Sequence, residues 1–363
     1  GAAMIMACTP ALVVDVFPME ERGRALGMVG TVVASGLSIG PTLGGFILHF
    51  FSWRVIFYIN IPIGVITAVA ALIALKGSRA DVRRTESFDW LGAILLALCL
   101  GPLLLAISHG YDWGYGSGLV MSLFSLTLAG GISFGLVESR VMHPILDPAI
   151  IHIRLFTLPI VAAVLIFVSL FSLVFLMPFY LLLPRGLPVS QAGLFMSTIF
   201  LVLFIVSPLS GTVSDRFGSR LICTMGMGVL AVALFSLARI AANASPVAII
   251  WRLALAGIGV AIFIPPNSAA AMSAVPPQRR GLAGGTVAAA RNLGMVIGIG
   301  MAGAIFNSSY SAATGGAGLQ TFTIQQQPEF MTAFRAAMNA GGGVGLLGML
   351  ISYLRGRENR GGK

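Results

Sequence analysis

Apolar residues fill this chain in runs of about 20, interrupted by short polar stretches, from one end to the other. A helix of that length rises about 30 Å, the thickness of a bilayer's hydrocarbon core, so each run predicts a membrane-crossing helix. The predicted spans are 1–16 (part of a helix), 25–50, 55–75, 90–108, 118–137, 157–183, 191–212, 219–238, 246–272, 282–306 and 332–354. The fold class that follows is an all-α, polytopic membrane protein.

The polar stretches alternate in basic content. One set holds Arg22 and Arg24, Lys76 to Arg84, Arg140 and Arg154, Arg216 and Arg220, Arg279 and Arg280, and the tail from Arg355 to Lys363, together 16 of the 22 Lys and Arg residues. The other set holds Arg54, Arg185, Arg239, Arg252 and Arg335. The positive-inside rule places the first set, and the C-terminus with it, in the cytoplasm of a multi-pass protein of the plasma (bacterial inner) membrane. On the other side, His109 to Ser117 reads as an aromatic interfacial loop, and 307–331, without Lys and with no Arg, as a flexible outer loop. Arg291 belongs to neither set. It lies about nine residues inside its predicted span, roughly 14 Å from the cytoplasmic end at 1.5 Å per residue, near the bilayer midplane.

Composition narrows the function. Of 363 residues, 57% are hydrophobic and only 9% charged, which excludes an ordinary soluble domain. The net charge of +10 forms no continuous basic face, so a nucleic-acid partner is not implied. Cys8, Cys99 and Cys223 stand singly in apolar runs, and the histidines make no ligand spacing, so neither a disulfide framework nor a metal site is predicted. HExxH and Walker patterns are missing, and the GxSxG strings at 36–40 and 131–135 lie inside apolar runs and form no strand-to-helix elbow, which argues against a membrane-embedded enzyme.

The chain also repeats itself. Displaced by 258 residues, 1–47 lies over 259–305 and matches Pro18 with Pro276, Arg22 with Arg280, Gly23 with Gly281, Gly27 with Gly285, Gly36 with Gly294, Gly40 with Gly298 and Gly45 with Gly303. The matches share helix boundaries and membrane side, the mark of a transporter built from two parallel repeats. If the repeat is complete, the opening residue Gly1 falls within a fourth helix and three to four helices precede it. Fourteen spans then fall into six, two and six: 1–75 as the rest of an N-terminal half, 76–156 as two added helices, 157–354 as a C-terminal half, and 355–363 as a basic cytoplasmic tail.

Several motifs carry possible chemistry. In GLSIGPTLGG at 36–45, Gly36, Gly40 and Gly44 form a stripe for close helix approach, and Pro41 removes a helix hydrogen bond. GTVSDRFGSR at 211–220 places Asp215 near the start of a following helix, where a carboxylate favours the positive dipole end, with Arg216 and Arg220 able to bridge to neighbouring helix ends. A plain packing stripe and a solvated tight turn are the respective alternatives. A guanidinium at the depth of Arg291 must face protein or a water-filled cavity, so it either lines a working cavity or makes a structural ion pair. Asn292 and Asn267, the latter after Pro265 and Pro266, either contact a substrate or hydrogen-bond helix to helix.

These motifs, with FSWRVIFYINIPIG at 51–64 and IPPNSAAAMSAVPPQRRGLAGGTVAAARNLG at 264–294, resemble the major facilitator superfamily, and within it the fourteen-helix drug:proton antiporters of EmrB/QacA type. The resemblance implies that Gly36, Gly40, Pro41, Gly44 and Gly45 belong to the antiporter-motif helix. It further implies that Gly211, Asp215, Arg216, Gly218 and Arg220 form a cytoplasmic gate loop, with Asp15 as a gate residue. Proton-coupled efflux of amphipathic or cationic small molecules by alternating access is the implied function, with the proton gradient as energy source, no cofactor, and a periplasmic adaptor as a partner by analogy. No Asp or Glu lies in the middle of an apolar run, so the coupling acid is expected upstream. A carrier of the same fold for one metabolite, siderophore or lipid, and a non-transporting sensor, remain the alternatives.

Overall fold

The computed structural model describes residues 9, 12–13, 16–18, 21–22, 24–29, 32–33, 36, 47, 51–52, 54–74, 89–141, 152–276, 279–316, 319 and 322–356. The described elements are all helical: α1 (Arg54–Tyr58), α2 (Asn60–Ala74), α3 (Trp90–Trp113), α4 (Gly118–Glu138), α5 (Arg154–Leu182), α6 (Val189–Phe217), α7 (Ser219–Ala238), α8 (Pro246–Ser273), α9 (Arg280–Thr314), a short 3-10 turn (Ile324–Gln326) and α10 (Gln327–Leu354). Among the described residues, 9 helical stretches are long and apolar enough to cross a membrane. Residues 24–29 are also helical. The predicted spans 1–16 and 25–50 fall largely outside the described residues.

Helix boundaries follow from local chemistry. Ser245 caps α8 by accepting the Ala248 N–H, and Pro246 sits where its missing N–H costs nothing. Between α6 and α7 the chain turns on Gly218 alone, at φ +89°, a conformation open to glycine. The outer segments differ from the sequence reading. The helix read as 282–306 continues to Thr314, and α10 begins at Gln327, so much of the stretch read as a flexible loop is ordered. Aromatic packing explains it: Tyr310 stacks on Phe306, its hydroxyl donates to Gln326 Oε1 at 2.8 Å, and Phe330 meets Phe306 edge-on. Likewise, the segment read as an interfacial loop from His109 is helical as far as Trp113, with His109 stacked on Trp113.

Helices α5 to α10 form one bundle around α5, which packs against α8, α9 and α10, while α7 lies between α8 and α10 and α6 rests on α8. Lipid offers no hydrophobic drive for helices to associate, so contact must come from close packing and from hydrogen bonds. Glycines supply the first. A Cβ on Gly298 would stand 2.5 Å from the Val168 carbonyl oxygen, and one on Gly294 the same distance from that of Val164, so α9 lies against the backbone of α5. Gly226 and Gly259 bring α7 and α8 equally close. Serines supply the second: Ser169 donates to the Gly341 carbonyl, Ser172 to that of Gly298, and Ser210 to that of Ala261. The last bond repairs a defect, because Pro265 has no N–H to offer the Ala261 carbonyl four residues back.

The hairpin of α3 and α4 joins this bundle along α9, where Gly300 receives Ile107. Replacing Gly298 with Leu is expected to force α9 off α5 and cost about 1–3 kcal/mol or more. Gly343→Ala, where a Cβ meets open space, is expected to be neutral or to gain up to about 1 kcal/mol. Thermal unfolding of the two detergent-solubilised variants checks both.

Candidate functional site

At the helix ends that carry most of the arginines, here termed the basic end, Asp215 bonds to a distant part of the chain. This residue sits in the last turn of α6, where its own helix presents carbonyls and the negative dipole end. Asp215 Oδ2 accepts the backbone N–H of Arg24 at 3.0 Å. Arg24 lies in the first turn of the helical segment that includes 24–29, since Arg22 is already helical and the Ala25 N–H bonds back to the Glu21 carbonyl, so the carboxylate meets the positive end of a helix far away in sequence. The sequence reading gave Asp215 the dipole of the helix that follows it; the dipole identified by this bond belongs to the N-terminal part of the chain.

Around that bond the two parts of the chain lock together. One turn beyond Arg24, a Cβ on Gly27 would lie 2.7 Å from the Ser207 carbonyl oxygen and 2.9 Å from Pro208 Cα, so helix 24–29 touches the backbone of α6. Arg22 donates through Nη1 to Ser273 Oγ at 3.3 Å, at the end of α8, and through Nε to the Phe17 carbonyl at 3.4 Å. Beneath these contacts Leu26 is buried with Phe156, Met272, Val275 and Ala283, from the basic ends of α5, α8 and α9. These residues form an apolar plug at the basic end.

The remaining residues of the 211–220 motif divide. Gly211 is buried, Arg216 is exposed, and Gly218 makes the turn. Arg220 reaches across to the end of α10, donating through Nε to the Tyr353 carbonyl at 2.7 Å with its guanidinium 4.5 Å above the Tyr353 ring. Arg154, at the start of α5, donates to the Leu354 carbonyl. Two positive side chains thus serve the orphan carbonyls at the negative end of one helix.

Arg291 lies eleven residues past Arg280, roughly 16 Å along α9, and is half-buried on the face that carries Gly298. Its neighbour Asn292 is exposed. Asn267 is only 2% exposed, donates through Nδ2 to the Pro159 carbonyl at 2.9 Å and accepts from Arg355 at 3.2 Å, so its amide is engaged between helices. Gly36 faces open space. Asp15, Gly40, Pro41, Gly44 and Gly45 lie outside the described residues. Sequence reasoning passed over Arg22, Arg24, Ser273 and Arg355 as site residues. Arg22 carried a signal, its match with Arg280 in the repeat; Arg355, the first residue after an apolar run, carried none.

Comparison with known proteins gives the family. The family model described as Major Facilitator Superfamily matches residues 1–299. The chain belongs to the major facilitator superfamily. It is 31% identical over 309 residues to the riboflavin transporter RibZ of Clostridioides difficile, covering 85% of this chain and 66% of the relative. Identity is 30% over 313 residues to the multidrug resistance protein Stp of Mycobacterium tuberculosis, covering 86% of this chain and 58% of that protein. With the lincomycin resistance protein LmrB of Listeria monocytogenes it is 29% over 281 residues, covering 77% and 59% respectively. The chain therefore spans about three-fifths to two-thirds of the length of these relatives. Membership brings the all-helical major facilitator fold, and these relatives are named as transporters or resistance proteins, none as an enzyme.

Asp215→Ala removes a charge-assisted cap of about 1 kcal/mol that joins α6 to helix 24–29 beside the plug. A cysteine placed at Met272, buried in the plug, is expected to react with maleimide about fivefold faster in that background, as peptide mass spectrometry would measure.

Proposed function

We propose that this protein exports amphipathic and cationic small molecules across the plasma membrane in exchange for protons, by alternating access, with the basic end and the C-terminus in the cytoplasm. The observation that carries the reading is the bond from Asp215 to the start of helix 24–29 beside the apolar plug. It is a closure made of one charge-assisted hydrogen bond, a few polar contacts and dry packing, which can break and re-form as a unit. Rocking of the two parts of the chain would open that end and expose the helix faces between them. Arg291 is the polar residue assigned to that path, since a guanidinium at its depth is stable only against protein or water. Relatives named for multidrug and lincomycin resistance support small-molecule export, and the motif resemblance supports the fourteen-helix antiporter type.

A second reading has its own support: the relative named as a riboflavin transporter favours a carrier for one metabolite. In everted vesicles holding an imposed pH gradient, lipophilic cationic drugs are expected to collapse the gradient, and Arg291→Ala to lower that response by about tenfold or more. Riboflavin movement without drug response would favour the single-substrate carrier. No response to either class from folded protein would remove the antiporter reading.

A further inference from the structure

Arg355 is among the largest fully buried side chains of the described residues, 1% exposed, although it follows directly on the last turn of α10 at the basic end. Its guanidinium points inward. Nη1 donates to Asn267 Oδ1 at 3.2 Å and lies 3.9 Å from Cys223 Sγ, on α8 and α7 respectively. Asn267 in turn donates to the Pro159 carbonyl of α5, so one side chain ties together three helices besides its own. A charge taken out of water is costly unless it is well bonded, so this placement needs a reason.

The position of Asn267 supplies one. It follows Pro265 and Pro266, which together remove two helix hydrogen bonds and make α8 able to bend there. Beyond that point α8 carries the closure itself: Met272 in the plug, Ser273 on Arg22, and Val275 just past the helix end. The base of Arg355 is meanwhile fixed, because the carbonyls of Tyr353 and Leu354 are held by Arg220 of α7 and Arg154 of α5. A fixed backbone and a reaching side chain grip the segment just beyond a hinge.

We propose that Arg355 is a positioning residue of the gate: through Asn267 it latches the segment of α8 beyond Pro265 and Pro266 against α5 and α7, and the basic end opens when that latch is released. The latch itself rests on geometry; its effect on turnover rests on the alternating-access reading above.

Cys223, fully buried beneath Arg355, provides the reporter. In the full chain carrying Cys8→Ser and Cys99→Ser, Cys223 in everted vesicles is expected to react with N-ethylmaleimide at least about tenfold faster in Arg355→Ala and in Asn267→Ala, with Arg355→Lys between. Either alanine variant suffices if the other does not fold. A static structural contact is distinguished by locking it. With Cys223 also replaced by Ser, Arg355→Cys joined to Asn267→Cys by a short bis-methanethiosulfonate is expected to lose at least about tenfold in substrate exchange relative to the same protein before cross-linking, and to recover on reduction with dithiothreitol.

Unchanged Cys223 labelling in both folded alanine variants overturns the latch, as does full exchange by the cross-linked protein. If no variant, wild type included, transports any tested compound while labelling still depends on Arg355, the latch stands and the transport reading falls.

Discussion

Inside a bilayer there is no water to satisfy a backbone group and no hydrophobic gain in pushing one helix against another, and this constraint shapes every contact in the bundle. The chain meets it by letting backbones touch. Gly294 and Gly298 press α9 onto the carbonyls of α5, and Gly226 and Gly259 do the same between α7 and α8. Dispersion between closely apposed backbones falls steeply with separation, so a stripe without side chains is worth more than one of larger apolar residues. The hydroxyls of Ser169, Ser172 and Ser210 then bond carbonyls on facing helices. Rigid contact within the bundle is a precondition for any rocking of one part of the protein against another.

At the basic end a different economy operates, because helix ends bring partial charges and unsatisfied groups. Arg154 and Arg220 meet the negative end of α10, and Asp215 meets the positive end of helix 24–29. Each pairing obeys the same electrostatics, yet their consequences differ. The arginines join helices of one bundle, whereas Asp215 joins that bundle to the N-terminal part of the chain. Near water, such contacts are each worth about 1 kcal/mol, strong enough to choose a conformation and weak enough to be exchanged for another. The plug of Leu26, Phe156 and Met272 buries apolar surface beside these contacts.

Much was legible in the sequence. Hydropathy alone gives the number and course of the spans from residue 90 onward, with helix ends placed within about five residues except the outer end of α9, because a helix in lipid has to be apolar along its length. The motif at 211–220 marked Asp215 and Arg220 as residues of a helix junction. Where the outer ends of α9 and α10 lie was not legible: 307–331 is polar and glycine-bearing, and only the stacking of Tyr310, Phe306 and Phe330 explains its helical ends.

The sequence by itself determined that this is a helical membrane protein, where its helices cross, and which ends share a side, since those properties depend on composition along a local stretch. Tertiary structure alone decided which helix dipole Asp215 serves, that Asn267 bonds across helices, and that Arg355 turns inward instead of joining a solvated tail. A charge pattern fixes the sign of the partner a residue needs. Which partner it finds depends on helices brought together from distant parts of the chain, and no local pattern encodes that.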